Sequence, residues 1–382
     1  MDKPQYRIFS SFYPAYLDQY SPSPVQAKVA HNIMNCKTGA YGANVCVCED
    51  CGFVQIHYNS CRNRCCPMCQ AVPKEMWMDA RREDVLDAPY FHLVFTVPDI
   101  LNPVIYSNQR LLYDALYHAA SSTISELTAD PKHLGAKVGY ICILHTWGSE
   151  MNFHPHIHTI LLGGGLASNN QWKDNGENFF LPIRVISKMF RGKYLEELKR
   201  LWEEDKLVFH GTAEKFRNHY TFKELLDSCY GMDWIPHCKK TFNGAQTVIK
   251  YLGKYTHRIA VSNHRIVRMD DDTVTFLVKD YRNEGQWKEL TISGVEFVRR
   301  FLMHVPPRRF VRIRHYGLLC SRTKSQKLTL CRNLLGCKKY LSKLRDMEMP
   351  EILEHLYGIK VCVCKACGGH LGKPQMRMPL RC

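Results

Sequence analysis

Residues 152–165 read NFHPHIHTILLGGG, which sets His154, His156 and His158 on every second position before an apolar run that stops at glycines. In an extended chain successive side chains alternate between faces, so His156 and His158 share one face while Ile157 and Leu161 take the other. Two imidazoles on one face of a rigid strand form half of a site for a divalent cation. His154 precedes Pro155 and falls in the turn, where it could ligate, orient its neighbours or stand idle in solvent. A lone histidine would favour the idle, edge-strand reading; strict alternation favours ligation.

Two enzyme classes use such a row. In histidine-triad nucleotide hydrolases it supplies a nucleophilic imidazole, and HPHIHTI fits that pattern with Thr159 at a position meant to be apolar. In HUH endonucleases a His-hydrophobe-His strand holds a metal that polarises a scissile phosphate, and a tyrosine from a nearby helix attacks. A downstream helix with a suitable tyrosine therefore discriminates between them. Residues 243–258, NGAQTVIKYLGKYTHR, read as a helix opened by Asn243, with Tyr251 and Tyr255 one turn apart and Lys250, Lys254 and Arg258 around them. A phenol with a pKa of ~10 is a weak nucleophile at neutral pH. A metal-held phosphate and flanking cations stabilise the charge that develops as it attacks. The competing reading packs both tyrosines with Val248, Leu252 and Ile259 as core; the basic neighbours and the histidine row weigh against it.

Eighteen cysteines are present, eight of them within residues 31–70. Without an evident export signal, metal ligation is the first expectation. Cys48 and Cys51 form one CxxC, Cys66 and Cys69 another, and the 14 residues between them are close to the spacing of a four-cysteine zinc site. Cys36, Cys61 and Cys65, with His31 and His57 nearby, either hold a second zinc or pack as small hydrophobes. The C-terminal CVCKACGG brings one further CxxC, Cys364 and Cys367, with Cys362 and Cys382 beside it.

The elements that must position these groups can be read from periodicity. Helical patterns cover 75–87, 109–128 and most of 187–228, and residues 1–30 form a helical lead-in. Residues 90–97, 137–148 and 156–164 alternate or run apolar as strands, the last two joined by a short polar turn; 232–242 reads as another. Three short strands follow between 264 and 292. Strands and helices mix without regular βαβ spacing, so the expected class is α+β. Lys and Arg number 52 against 36 Asp and Glu, a net charge of +16 suited to a polyanion. From Arg299 to Arg345 there are 14 Lys/Arg and no acid, interleaved with aromatic residues, which predicts a folded basic surface with Arg308, Arg309, Arg312 and Arg314 on DNA. No apolar run is long enough for a membrane span, and the first residues lack a signal-peptide pattern, so a cytoplasmic protein is expected.

Taken in order, CxxCG at 48–52, YNSCRNRCCPMCQ at 58–70, FHLVFTVP at 91–98, LHTWG with FHPHIHTIL, YLGKYTHRIAVSNHRI at 251–266 and RIRHYGLL at 312–319 resemble the transposases of the insertion-sequence-ninety-one family. The resemblance spans nearly the whole chain. It implies a zinc-binding domain (1–75), an HUH endonuclease-like catalytic domain with an antiparallel sheet (76–297, helical insertion near 185–230), a basic DNA-binding region (298–345) and a small cysteine-bearing tail (346–382). It implies structural Zn2+, catalytic Mg2+ or Mn2+ on His156 and His158, and cleavage and rejoining of single-stranded DNA at element ends and target DNA through a 5′-phosphotyrosine on Tyr251 or Tyr255. A homo-oligomer is compatible with it. The third ligand is left among His145, Glu150 and His154. The family's NRHCPKC reads NRCCPMC here, so Cys65 stands where a histidine is usual and is expected to ligate in its place. A plasmid replication initiator or relaxase shares the residue chemistry; a histidine-triad hydrolase or a non-catalytic zinc DNA-binding protein would leave part of the pattern unused.

Overall fold

The structure is a computed structural model and describes residues 4–174, 181–234, 236–242, 248, 253, 259–280 and 283–377. The strands are β1 (Ala43–Val47), β2 (Val54–Tyr58), β3 (Tyr90–Thr96), β4 (Lys137–Trp147), β5 (Phe153–Leu166), β6 (Trp172–Asp174), β7 (His237–Phe242), β8 (Ile266–Met269), β9 (Thr273–Asp280), β10 (Gln286–Ser293), β11 (Ile313–Gly317) and β12 (Gln375–Arg377). The helices are α1 (Pro4–Gln19), α2 (Pro24–Asn35), α3 (Ala71–Arg82), α4 (Asn102–Ser107), α5 (Gln109–Ala129), α6 (Ile183–Glu203), α7 (His219–Gly231), α8 (Gly294–Met303), α9 (Lys324–Leu335) and α10 (Met349–Tyr357). Among the described residues no helix is long and apolar enough to cross a membrane.

The expected α+β class is the observed one. A six-stranded antiparallel sheet runs β11-β4-β5-β3-β7, with β6 paired to β5. β4 and β5 are buried along nearly their whole length, because helices cover both faces. On one face Phe91, Leu93, Phe95, Ile157 and Leu161 pack against α5 and α6 through Leu116, Ala120, Phe190 and Tyr194. The segment expected as a helical insertion is thus part of the main core. Thr159 lies on this face, its hydroxyl 3.4 Å from the Cys142 sulfur, which satisfies a polar group at an apolar position. On the other face Tyr90, Ile141, Ile143, Ile160 and Leu162 pack with Leu318 and Leu328, and with Val248. The strand-ending glycines have a steric cause: a Cβ on Gly164 would sit 2.4 Å from the Trp172 ring.

A second sheet, β10-β9-β8, shares its core with the N-terminal helices: Ile8, Phe9 and Phe12 bury against Phe276, Phe297 and Phe301. The boundary expected at residues 75 and 76 falls inside α3, and the N-terminal helices belong to the core of residues 259–305. A third sheet, β12-β1-β2, joins the N-terminal hairpin to the C-terminal tail.

Candidate active site

Antiparallel register places the histidines. His156 on β5 stands opposite His145 on β4 and Thr96 on β3, and His158 stands opposite Ile143 and Val94. His145, His156 and His158 therefore share one face, all buried, with ligand nitrogens within 4.8 Å of one another. The Nδ1–H of His156 donates to the His154 carbonyl at 2.7 Å, which leaves its Nε2 as the free lone pair, 3.1 Å from His158 Nε2. His92, two residues along β3 from Val94, places its Nε2 2.9 Å from His158 Nδ1 and stacks on that ring. Burial, reinforced by the neighbouring His154, holds the His156 imidazole down at about 3; burial and the neighbouring His145 hold His158 well below the usual range. Both are neutral at physiological pH, the state in which imidazole binds a metal. Three buried, convergent imidazole nitrogens with an outer bond fixing the ring of His156 are a donor set that fits a divalent cation.

Among the three candidates for third ligand, the cluster contains His145. His154, expected among the ligands, lies outside it: its side chain is turned toward Asp99, with Nδ1 3.2 Å from Oδ1, and only its carbonyl reaches the site. The β4–β5 pairing shifts register between the His145–His156 and Trp147–Phe153 pairs, and this is where the row leaves the sheet face. Glu150 stays in the turn and accepts from Asn152 at 3.3 Å. The turn is itself held. Met151 is fully buried in a left-handed conformation, and its carbonyl lies 3.0 Å from Nε2 of His304, whose Nδ1 is 3.2 Å from Thr146 Oγ1. Burial lowers His304 to about 4.

Tyr251, Tyr255, Lys250, Lys254 and Arg258 lie outside the described residues. Two described positions flank Tyr251. Val248 is buried on the histidine face with Ile143 and Ile160, and Gly253 lies close against Lys74 and Met78 of α3, lining a cleft with Arg64, Gln70, Lys74 and His264.

The cysteines are grouped differently from expectation. Cys36, Cys61, Cys66 and Cys69 form one cluster, with Cys36 and Cys61 sulfurs 3.4 and 3.6 Å from Cys69. Cys48 and Cys51 are not with Cys66 and Cys69: they meet Cys364 and Cys367 instead. The reason is that Cys48 and Cys51 sit at the far tip of the β1–β2 hairpin, whereas Cys36 and Cys61 flank its base, next to the start of α3. Cys65 ligates in neither cluster; it is buried beside Arg64 and Arg312, its amide bonded to the Asn63 side chain. His31 bonds with Asn35 and His57 with Gln55, both outside the clusters.

Of the four arginines expected on DNA, Arg308 and Arg309 are exposed and line a cleft with Lys28 and Arg64 that contains no acid among the described residues. Arg312 is half-buried over the Trp147 ring, and Arg314 pairs with Asp114 and stacks 4.0 Å over Tyr117. The latter two brace β11 against α5 and β4.

A family profile described as "Transposase zinc-binding domain" matches residues 8–97, and one described as "Putative transposase" matches residues 139–327. The chain is 39% identical over 364 residues to the "Putative transposase y4qJ" of Sinorhizobium fredii, covering 94% of this chain and 92% of that one. It is 30% identical over 309 residues to the transposase for insertion sequence element IS801 of Pseudomonas savastanoi pv. phaseolicola, covering 80% and 72%. It belongs to the insertion-sequence-ninety-one family of transposases, with that family's N-terminal zinc-binding domain, and is a DNA-cleaving enzyme. Among solved structures it is similar to the conjugative relaxase TrwC in complex with oriT DNA, at 12% identity over 43% of this chain and 68% of that one, with a TM-score of 0.25.

Proposed function

We propose that this transposase cuts and rejoins single-stranded DNA at the ends of its element, with Tyr251 or Tyr255 as nucleophile and His145, His156 and His158 holding a divalent ion, Mg2+ or Mn2+. The observation that carries the reading is the buried trio of convergent imidazoles on the sheet face where Val248 packs, three residues before Tyr251. When bound there, the ion polarises the scissile phosphate. The tyrosine oxygen gives up its proton and forms a bond to phosphorus, the bond from phosphorus to the 3′-oxygen breaks, and the departing 3′-oxygen takes up a proton, so that no net proton is gained or lost. Because the phosphotyrosine keeps the bond energy, the 3′-OH of another strand reverses the step without ATP. His92 and the His154 carbonyl orient the rings of His158 and His156 so that no rearrangement is needed at the moment of reaction. Lys28, Arg64, Arg308 and Arg309 offer the strand a cationic path. Cys36, Cys61, Cys66 and Cys69 hold a structural zinc that ties α2, the hairpin base and α3 together. The reaction takes place in the cytoplasm, on the nucleoid.

The test is incubation with end-labelled oligonucleotides carrying the element's own ends, with Mn2+ or Mg2+, resolved on denaturing gels. A metal-dependent protein–DNA adduct is expected, lost in Tyr251→Phe or Tyr255→Phe and in His156→Ala. Adduct that persists in the double tyrosine variant would sink the assignment.

A further inference from the structure

Among the described residues, the strands β1 and β2 and the tail bearing β12 form a subdomain with almost no core: Cys46, Cys48, Cys364 and Leu371 are its buried apolar cluster. Its outer residues Val47, Val54, Ile56 and Tyr58 are about half exposed. So small a core does not hold a sheet by itself. What the hairpin and the tail do share is a pair of matching turns. Residues 48–53 read CEDCGF and residues 364–369 read CKACGG. In each, the first cysteine carbonyl accepts from the glycine four residues on, Gly52 or Gly368, at 3.0 Å. In each, that glycine has a positive φ, +69° and +78°, and the first cysteine's amide donates to the residue five positions on, Phe53 or Gly369. Amides of Ala366 and Gly369 point at the Cys364 and Cys367 sulfurs at 3.4 Å, the arrangement that stabilises thiolates.

The four sulfurs converge. Cys48 lies 3.5 Å from Cys367 and Cys51 lies 3.8 Å from Cys364, with all four within 4.8 Å. Four thiolates at Zn–S distances of about 2.3 Å and tetrahedral angles lie about 3.8 Å apart. We infer that Cys48, Cys51, Cys364 and Cys367 bind a second zinc, which clamps the C-terminal tail to the N-terminal hairpin as a two-knuckle ribbon. Two of its ligands lie beyond residue 327, outside both matched family segments. The site stands independently of the cleavage chemistry.

The wild-type chain tests this by thiol alkylation mapped by mass spectrometry, with zinc supplied. Cys51, Cys367, Cys320 and Cys362 are all exposed, so burial protects none of them. Zinc predicts that Cys51 and Cys367 react about an order of magnitude more slowly than Cys320 and Cys362, and that a chelator releases Cys48, Cys51, Cys364 and Cys367 together. Cys364→Ser should then lose one zinc per chain and expose Cys51 while Cys36, Cys61, Cys66 and Cys69 stay protected. If Cys51 and Cys367 react as fast as Cys320 in the zinc-supplemented wild type, the inference is wrong, whatever the variant does. A Cys364→Ser chain that keeps the full zinc complement would overturn it equally.

Discussion

His304 links the pH dependence of the fold to the geometry of the hairpin that carries His145, His156 and His158. It is 2% exposed, and it bridges Thr146 at the end of β4 to Met151 in the turn before β5. Free histidine titrates near 6.5, whereas burial holds this one to about 4. Above pH 6.5 both folded and unfolded forms are neutral and stability is independent of pH. As pH falls toward 4 the unfolded side chain takes up a proton that the folded one refuses, so stability declines; below 4 both are protonated and the decline stops. At about 1.4 kcal/mol per unit, the loss totals about 3 kcal/mol. His304→Phe removes the titration but strands the Met151 carbonyl and the Thr146 hydroxyl, costing about 1–3 kcal/mol at neutral pH. The assay is hydrogen exchange at peptides spanning residues 144–153, corrected for the intrinsic pH dependence of exchange and run without added divalent metal. His156 and His158 titrate alike in both proteins and cancel in the difference. The variant should start less protected at pH 7.5, and the gap to wild type should close, or change sign, between pH 6.5 and 4. A gap of constant size across that range would refute a neutral buried His304.

The remaining expectations concern metal, DNA and backbone. Mn2+ affinity measured by calorimetry should fall in His145→Ala by more than the 10–100-fold typical of an outer partner, and hardly change in His154→Ala; the reverse order would return His154 to the ligand set. His92→Phe should weaken the same affinity about 10–100-fold with the far-ultraviolet spectrum unchanged, and an unaltered affinity would remove His92 from the site. Replacing Arg308 and Arg309 by alanine should cut the slope of log affinity for single-stranded DNA against log salt by about 1.4, at about 0.7 per phosphate lost. Arg314→Ala should leave that slope alone and lower the melting temperature, because its partner is Asp114. Gly317 has a φ of +62°, and a Cβ there would lie 1.8 Å from the Val138 carbonyl oxygen. Gly317→Ala should therefore cost about 2 kcal/mol or more in urea unfolding, and a neutral result would mean that the backbone there is not tightly held.

The site is legible in the sequence as far as periodicity reaches. Alternation in HPHIHTIL determines both the strand and the face of His156 and His158, and the apolar runs at 90–97 and 137–148 locate the strands beside it. Register between strands is not written in either strand alone. His145 can be named from sequence only as one of three candidates, and His92 reads as one more residue of FHLVFTV, although its parity with Val94 and Thr96 already puts it on the inward face. His304 does not stand out in FLMHVPP because its partners lie far away in sequence, at separations of 153 and 158 residues. The cysteines show the same limit more sharply. Proximity in sequence favours Cys66 and Cys69 as partners of Cys48 and Cys51, and the structure instead joins each pair to thiols of another segment. The signal that corrects this is similarity of turn: C-x-x-C-G recurs at 48–52 and 364–368, and at no intervening position.

That long-range pairing has a consequence for biosynthesis. The thiols of the hairpin wait for partners 313 and 319 residues downstream, and β1 waits equally long for β12. At about 5–20 residues per second, the hairpin is exposed for about 15 to 60 s after it leaves the ribosome, with an open strand edge and two unpartnered thiols. A message interrupted before codon 364 yields a chain whose hairpin never gains its second pair of thiols. Completion of the ribbon thus reports that translation has run past the catalytic segments, so an element carrying a premature stop produces a protein deficient at its N-terminal end as well as its C-terminal one.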